Sequence, residues 1–150
     1  MGVAAAGGYG VYGRRSRLRR SSDESLDDPA VAQLPQLRLA RRLAVRRATH
    51  IAPCGAAVDL GCGTGRLAIE LARHAPELQV IGVDLAQEML ARGEAEVAAA
   101  GLSQRITFRQ GDGAHLPLAD HSVDVVVSIL ALHHWSQPVA VLDEIARVLR

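Results

Sequence analysis

Three aspartates, each beside glycine or at the end of an apolar run, are the residues best suited to chemistry in this 150-residue chain. Asp59 opens the run Asp59-Leu60-Gly61-Cys62-Gly63-Thr64-Gly65, Asp84 closes Val80-Ile81-Gly82-Val83-Asp84, and Asp112 lies in Gly111-Asp112-Gly113-Ala114. Glycine lets the chain turn tightly and lets a ligand approach the backbone with no Cβ in the way. A helix that follows such a loop offers unpaired N–H groups and a positive dipole end, both suited to an anionic group. A carboxylate at Asp84 can accept both hydroxyl hydrogens of a ribose and would repel a 2′-phosphate. At Asp112 a carboxylate can accept from an amino group, and the small Gly113 leaves a backbone N–H open to a ring nitrogen. Taken singly, these features fit equally well a tight turn, a helix-capping aspartate and a polar loop.

His133 and His134 precede Trp135 near the end of the chain. Histidine titrates near neutral pH, so either could take a proton from a substrate; packing and capping are the plainer roles. No further ligands stand at metal-binding spacing from the pair, and no metal is expected. Trp135 is expected to form a cleft wall or core, and Cys62 to be a small loop residue. Arg66, in the first turn of a helix, opposes its dipole and is expected to point to solvent.

The glycine spacing separates two cofactor classes. A dinucleotide fingerprint needs Gly-x-Gly-x-x-Gly, with the third glycine where the helix packs on the strand. Counted from Gly61 that position is Arg66, and counted from Gly63 it is Ala68. The run here is Gly-x-Gly-x-Gly, so a nicotinamide-dependent oxidoreductase fits poorly.

The elements that must position these residues are legible as an alternation. Leu39, Leu43, Ala44 and Ala48 recur at helical spacing over 37–50, with arginines around the rest of the circumference, which predicts an amphipathic helix with a basic outer face. Short apolar runs at 57–60, 79–83 and 106–109 predict buried strands, and 123–128 is too rich in β-branched residues to be a helix. Helices are predicted at 66–75, 86–100 and 137–149, the last with Ser136 as its cap and Pro138 in its first turn. The fold class is therefore α/β, a doubly wound, mainly parallel sheet with helices on both faces and right-handed crossovers.

Together these stretches resemble the class I methyltransferases that use S-adenosylmethionine, and most closely the small-molecule enzymes that include those of ubiquinone and menaquinone biosynthesis. The likeness runs from about residue 37 to 150. It is carried in order by Val58-Asp59-Leu60-Gly61-Cys62-Gly63-Thr64-Gly65, Gly82-Val83-Asp84-Leu85, Gly111-Asp112-Gly113-Ala114 and Leu132-His133-His134-Trp135. The resemblance implies a Rossmann-like fold and S-adenosyl-L-methionine as cofactor. It puts Asp59 and Gly61 at the methionine moiety, with Cys62, Gly63 and Gly65 in the same loop. It also implies that Asp84 holds the ribose, that Leu85 flanks the adenine, that Asp112 and Gly113 read its edge, and that Ser128 lies near the sulfonium. Ala86 stands where a capping serine is common, and Gly113 where alanine is usual. Complete members continue into a fifth, sixth and seventh strand, which this chain is expected to lack. The implied function is methyl transfer to a small-molecule acceptor. A non-catalytic module that binds the cofactor, or an inactive fragment, is the alternative.

Composition narrows the partners. The formal net charge of +1 points to no polyanion, and 3% aromatic residues argue against a stacking platform for single-stranded nucleic acid. No apolar run is long enough to span a bilayer, so no membrane partner is expected. Cys54 and Cys62 form no disulfide framework, which makes a reducing cytoplasm the expected location. Residues 1–28, with Arg14-Arg15-Ser16-Arg17-Leu18-Arg19-Arg20, read as a disordered tail with little to form a core. The domain is placed at 29–150. An apolar fourth strand left without a neighbour would offer an edge for self-association.

Overall fold

The computed structural model describes residues 34–150. The arginine run at 14–20 and the rest of the expected tail lie outside the described residues. Among the described residues nine elements follow one another as α1 (Pro35–Ile51), β1 (Cys54–Leu60), α2 (Arg66–His74), β2 (Glu77–Asp84), α3 (Gln87–Ala99), β3 (Ile106–Gln110), β4 (Val125–Val127), a 3₁₀ turn (Leu132–His134) and α4 (Pro138–Val148). The strands form one parallel sheet in the order β3-β2-β1-β4. The chain thus lays two strands to one side of β1 and the next to the other side. That reversal opens a crevice at the carboxyl ends of the strands, where sheets of this kind bind ligands.

Register brings the predicted acids to that edge. Asp59 on β1 faces Gly82 on β2 and Val127 on β4, and Asp84 at the end of β2 faces Gln110 at the end of β3. Side chains alternate across the sheet. Ala57, Val80, Val125 and Val127 pack with Val45 and Ala48 of α1, Leu67 and Leu71 of α2 and Val97 of α3. Val58, Leu60, Val83 and Val126 pack on the other face with Val141, Ile145 and Val148 of α4.

Two polar ties hold the helices. Arg105 donates to the carbonyls of Ala72, Ala75 and Leu78 at 2.9, 2.6 and 2.7 Å, placing a cation on the C-terminal end of α2. Arg147 on α4 donates to the Leu116 and Leu118 carbonyls and to Glu144, whose carboxyl it holds down at about 2. Glu144 in turn accepts from the Leu116 N–H.

The structure corrects four local expectations. On α1 the buried stripe is Val45 and Ala48, while Leu39 and Leu43 face solvent. The small residues let α1 sit close to its neighbours, and the larger leucines are left outside. The fourth strand is confined to Val125–Val127; Val123 instead makes a parallel bridge with Leu149, and its carbonyl accepts from the Arg150 N–H. Among the described residues Val125–Val127 pairs only with β1. Finally, α4 begins after Gln137 with no side-chain cap, so Ser136 does not cap it, and Arg66 is half-buried.

Candidate cofactor site

A cavity of about 320 Å³ lies over the carboxyl ends of β1, β2 and β4. Its floor is the loop between β1 and α2, where Gly61, Gly63 and Gly65 all take left-handed backbone, at φ 73°, 52° and 74°. Such a run is closed to most L side chains. The loop is pinned from below, since the Gly61 and Cys62 N–H groups both donate to the Val83 carbonyl.

Asp84 is tied into the same loop. Its Oδ2 accepts from the Gly63 N–H at 2.8 Å and its Oδ1 from the Ala86 N–H at 2.9 Å. The second bond starts α3 in place of a capping side chain on Ala86. Each carboxylate oxygen can accept more than one hydrogen bond, so this anchored group keeps capacity for a ligand's hydroxyls. The donor chemistry therefore fits a ribose.

Asp59 is 2% exposed. The Ala68 N–H, in the first turn of α2, donates to its Oδ2 at 3.1 Å. Burial nevertheless pushes its carboxyl up to about 7 against that hydrogen bond, and the nearby charge of Asp84 pushes the same way. A cationic ligand group beside Asp59 would offset the desolvation.

At the far rim Leu85 is 64% exposed, and its carbonyl accepts from Gln110 Nε2 at 3.0 Å. Asp112 Oδ1 accepts from the Ala114 N–H, which turns the loop so that Asp112 and buried Gly113 both border the cavity.

The cavity brings together Asp59, Gly61, Cys62, Gly63, Asp84, Leu85, Asp112, Gly113 and His134. It does not take in Gly65, Ser128 or His133. Gly65 is the buried N-cap of α2, where an added Cβ would strike the Phe108 ring at 2.6 Å. Ser128 was expected beside the sulfonium, but its Oγ donates to the Leu60 carbonyl at 2.8 Å and ties the end of β4 to β1. The His133 and His134 rings lie 3.7 Å apart, centroid to centroid, and of the two only His134 borders the cavity. Arg66, where a dinucleotide loop would need glycine, lies on the cavity wall.

Sequence reasoning missed several contributors, among them Met89, Ile129 and Ala131. Leu37 and Arg41 reach the cavity from α1, and Leu130 does so from the loop after β4 with left-handed backbone at φ 60°. Nothing local marks Leu37 or Arg41, which are brought in by tertiary packing. Leu130 was signalled only by its place after a strand's carboxyl end.

The comparisons with known proteins agree with this geometry. Residues 57–150 match a family described as a methyltransferase domain. The chain is 43% identical over 113 residues to a demethylmenaquinone methyltransferase of Porphyromonas gingivalis, covering 75% of this chain and 46% of that protein. It is 34% identical over 93 residues to the 27-O-demethylrifamycin SV methyltransferase of Amycolatopsis mediterranei, covering 62% and 34%. The fold is shared with a SAM-dependent methyltransferase from Aquifex aeolicus at a TM-score of 0.69 and 22% identity, covering 89% and 69%. The chain spans less than half the length of those two curated relatives. With the glycine loop, the anchored acid and the family match all falling on one cavity, this chain belongs to the methyltransferase domain family.

Proposed function

We propose that this chain forms the cofactor-binding part of an enzyme that moves the methyl group of S-adenosylmethionine to a small-molecule acceptor. The observation that carries the reading is the Asp84 carboxylate, held by the Gly63 and Ala86 N–H groups at the edge of the cavity. Asp84 receives the ribose hydroxyls, and Asp112 and Gly113 meet the adenine edge. Gly61 and Asp59 hold the amino-acid end, where a cationic amino group relieves the burial of Asp59. The family's cofactor supplies a methyl group already activated on a sulfonium. What remains for the protein is alignment and exclusion of water, and well-oriented reactants can gain about 7–11 kcal/mol from proximity. His134, on the cavity wall, takes a proton where the acceptor must lose one. Two relatives are named for small organic acceptors, which supports that substrate class. A reducing cytoplasm, where thiols stay reduced, suits the exposed thiol of Cys54.

Titration with S-adenosylhomocysteine by calorimetry tests the reading. The natural chain is expected to bind saturably, and Asp84→Ala to bind at least about tenfold more weakly, since hydrogen bonds to a charged group contribute about 1.5–3 kcal/mol each. Equal affinity of the two would sink the assignment of Asp84, and no binding by the natural chain would sink the function.

A further inference from the structure

The outer face of α1 combines features that the cofactor site does not use. The helix is held to the domain by buried Val45 and Ala48, with Leu37, Arg41 and Ala44 half-buried beside them. At about 100° per residue, the direction opposite that stripe falls on Leu39, Leu43 and His50. The two leucines are 57% and 56% exposed. Arg42 and Arg46 border them on one side and Arg47 on the other, with Arg38 further round, all exposed.

On the α2 side this face opens into a groove of about 420 Å³ lined by Arg38, Arg41, Arg42, Arg46, Arg73 and His74, with Glu70. Glu70 accepts from Arg41 Nε at 3.1 Å, so the groove's acid is already paired with one of its cations. The formal net charge of the chain is only +1. Among the described residues the acids balance the arginines, so the positive field there is local to this face.

We propose that the outer face of α1, with the adjoining groove, docks on an anionic phospholipid bilayer. Arginines at the flanks meet lipid phosphates, while Leu39 and Leu43 enter the boundary between headgroups and acyl chains. Leucine ringed by arginine is the pattern of a helix lying in a membrane interface. A nucleic acid would answer the arginines but leave both leucines in water, and α1 carries no Phe, Tyr or Trp on which a base could stack. No helix among the described residues is long and apolar enough to cross a membrane, and the contact proposed here is with the bilayer surface. Leu37 and Arg41 of the same helix line the cofactor cavity. Docking thus brings the cavity to within about one helix diameter, ~10 Å, of the lipid. If the methyl-transfer reading holds, an apolar acceptor dissolved in the bilayer would have a short path to it.

Vesicle co-sedimentation of the full chain tests the docking without reference to methyl transfer. The chain should sediment with phosphatidylcholine vesicles doped with phosphatidylglycerol and not with phosphatidylcholine alone. Each basic residue near an anionic surface is worth roughly a fivefold change in partitioning, so Arg42→Glu with Arg46→Glu should lower it at least about 25-fold. Leu39→Ser with Leu43→Ser should lower it about 100-fold, since each buried leucine contributes on the order of a tenfold factor. The single change Leu43→Arg separates insertion from simple charge attraction, because it keeps helix propensity and adds a cation. Insertion predicts weaker binding for that variant, and charge attraction alone predicts tighter. Circular dichroism and the thermal midpoint confirm that each variant is folded. Tighter binding by Leu43→Arg, natural partitioning by the leucine pair, equal binding to neutral vesicles, or displacement from vesicles by duplex DNA would each overturn the proposal.

Discussion

The Asp59 carboxyl lies on the central strand between Gly82 and Val127, with one backbone hydrogen bond and almost no solvent. Its pKa is raised from 3.8 to about 7, chiefly by burial. As pH rises, the unfolded chain therefore loses this proton before the folded chain does. The associated loss of stability builds up between about pH 4 and 7, is complete above 7, and is absent at more acid pH. Asp59→Asn should accordingly stabilise the ligand-free protein at pH 8 relative to its effect at pH 4, by an amount on the order of a few kcal/mol. Urea unfolding at the two pH values measures the difference, and an equal effect at both would show that Asp59 does not titrate in that window. Single residues were legible to different degrees. Asp59, Asp84 and Asp112 stood out because each adjoins a glycine turn or closes a strand. Ser128 was correctly placed at the end of the fourth strand, but position in the chain does not give the direction of a hydroxyl, which here points at the Leu60 carbonyl. His133 and His134 show the same limit, since only the geometry of the 3₁₀ turn decides which of two neighbours meets the cavity.

Among the elements, β2, α2 and α3 meet around one ring. Phe108, the single phenylalanine of the chain, fills a slot where Cβ atoms on Gly65, Gly82 and Gly93 would stand 2.6, 2.5 and 2.9 Å from it. Gly82 on β2 is also 2.9 Å, by the same measure, from Cys62 Sγ in the glycine loop. Gly82→Ala should destabilise the protein by about 1–3 kcal/mol through overpacking. Combined with Phe108→Leu, it should lose less than the two single changes added together. Denaturant unfolding of the four proteins tests this, and simple additivity would mean that the ring and the glycine do not share the slot. The sequence reading saw Gly65 as a turn residue and Gly82 as part of a strand and did not single out Gly93, because the ring that explains all three comes from another strand. It misjudged α1 for a related reason. Two apolar stripes recur at helical spacing there, and hydropathy prefers the leucines. Packing kept Ala48 of the predicted stripe, added Val45 and left Leu39 and Leu43 outside.

For the molecule as a whole, alternation of strands and helices was enough to predict a parallel sheet with both faces covered. Its order, β3-β2-β1-β4, was not stated by any local pattern. It follows from the two directions in which the chain leaves β1, and it is what gathers acids far apart in sequence at one edge. The extent of the fourth strand was read too generously, since a run of β-branched residues continues past the pairing that β1 can offer. One consequence of the arrangement is optical. The chain has a single tryptophan, Trp135, which borders the cavity on one side and packs against the Val58 and Leu60 core on the other. Its emission should therefore respond both to occupancy of the cavity and to integrity of the core, without any label. Addition of S-adenosylhomocysteine is expected to shift or quench that emission along the same saturation curve as the heat of binding. A calorimetric signal with silent fluorescence would place the indole away from the bound molecule. One chromophore would then follow cofactor arrival at equilibrium, its rate in a stopped-flow mixer, and the unfolding of the domain that holds it.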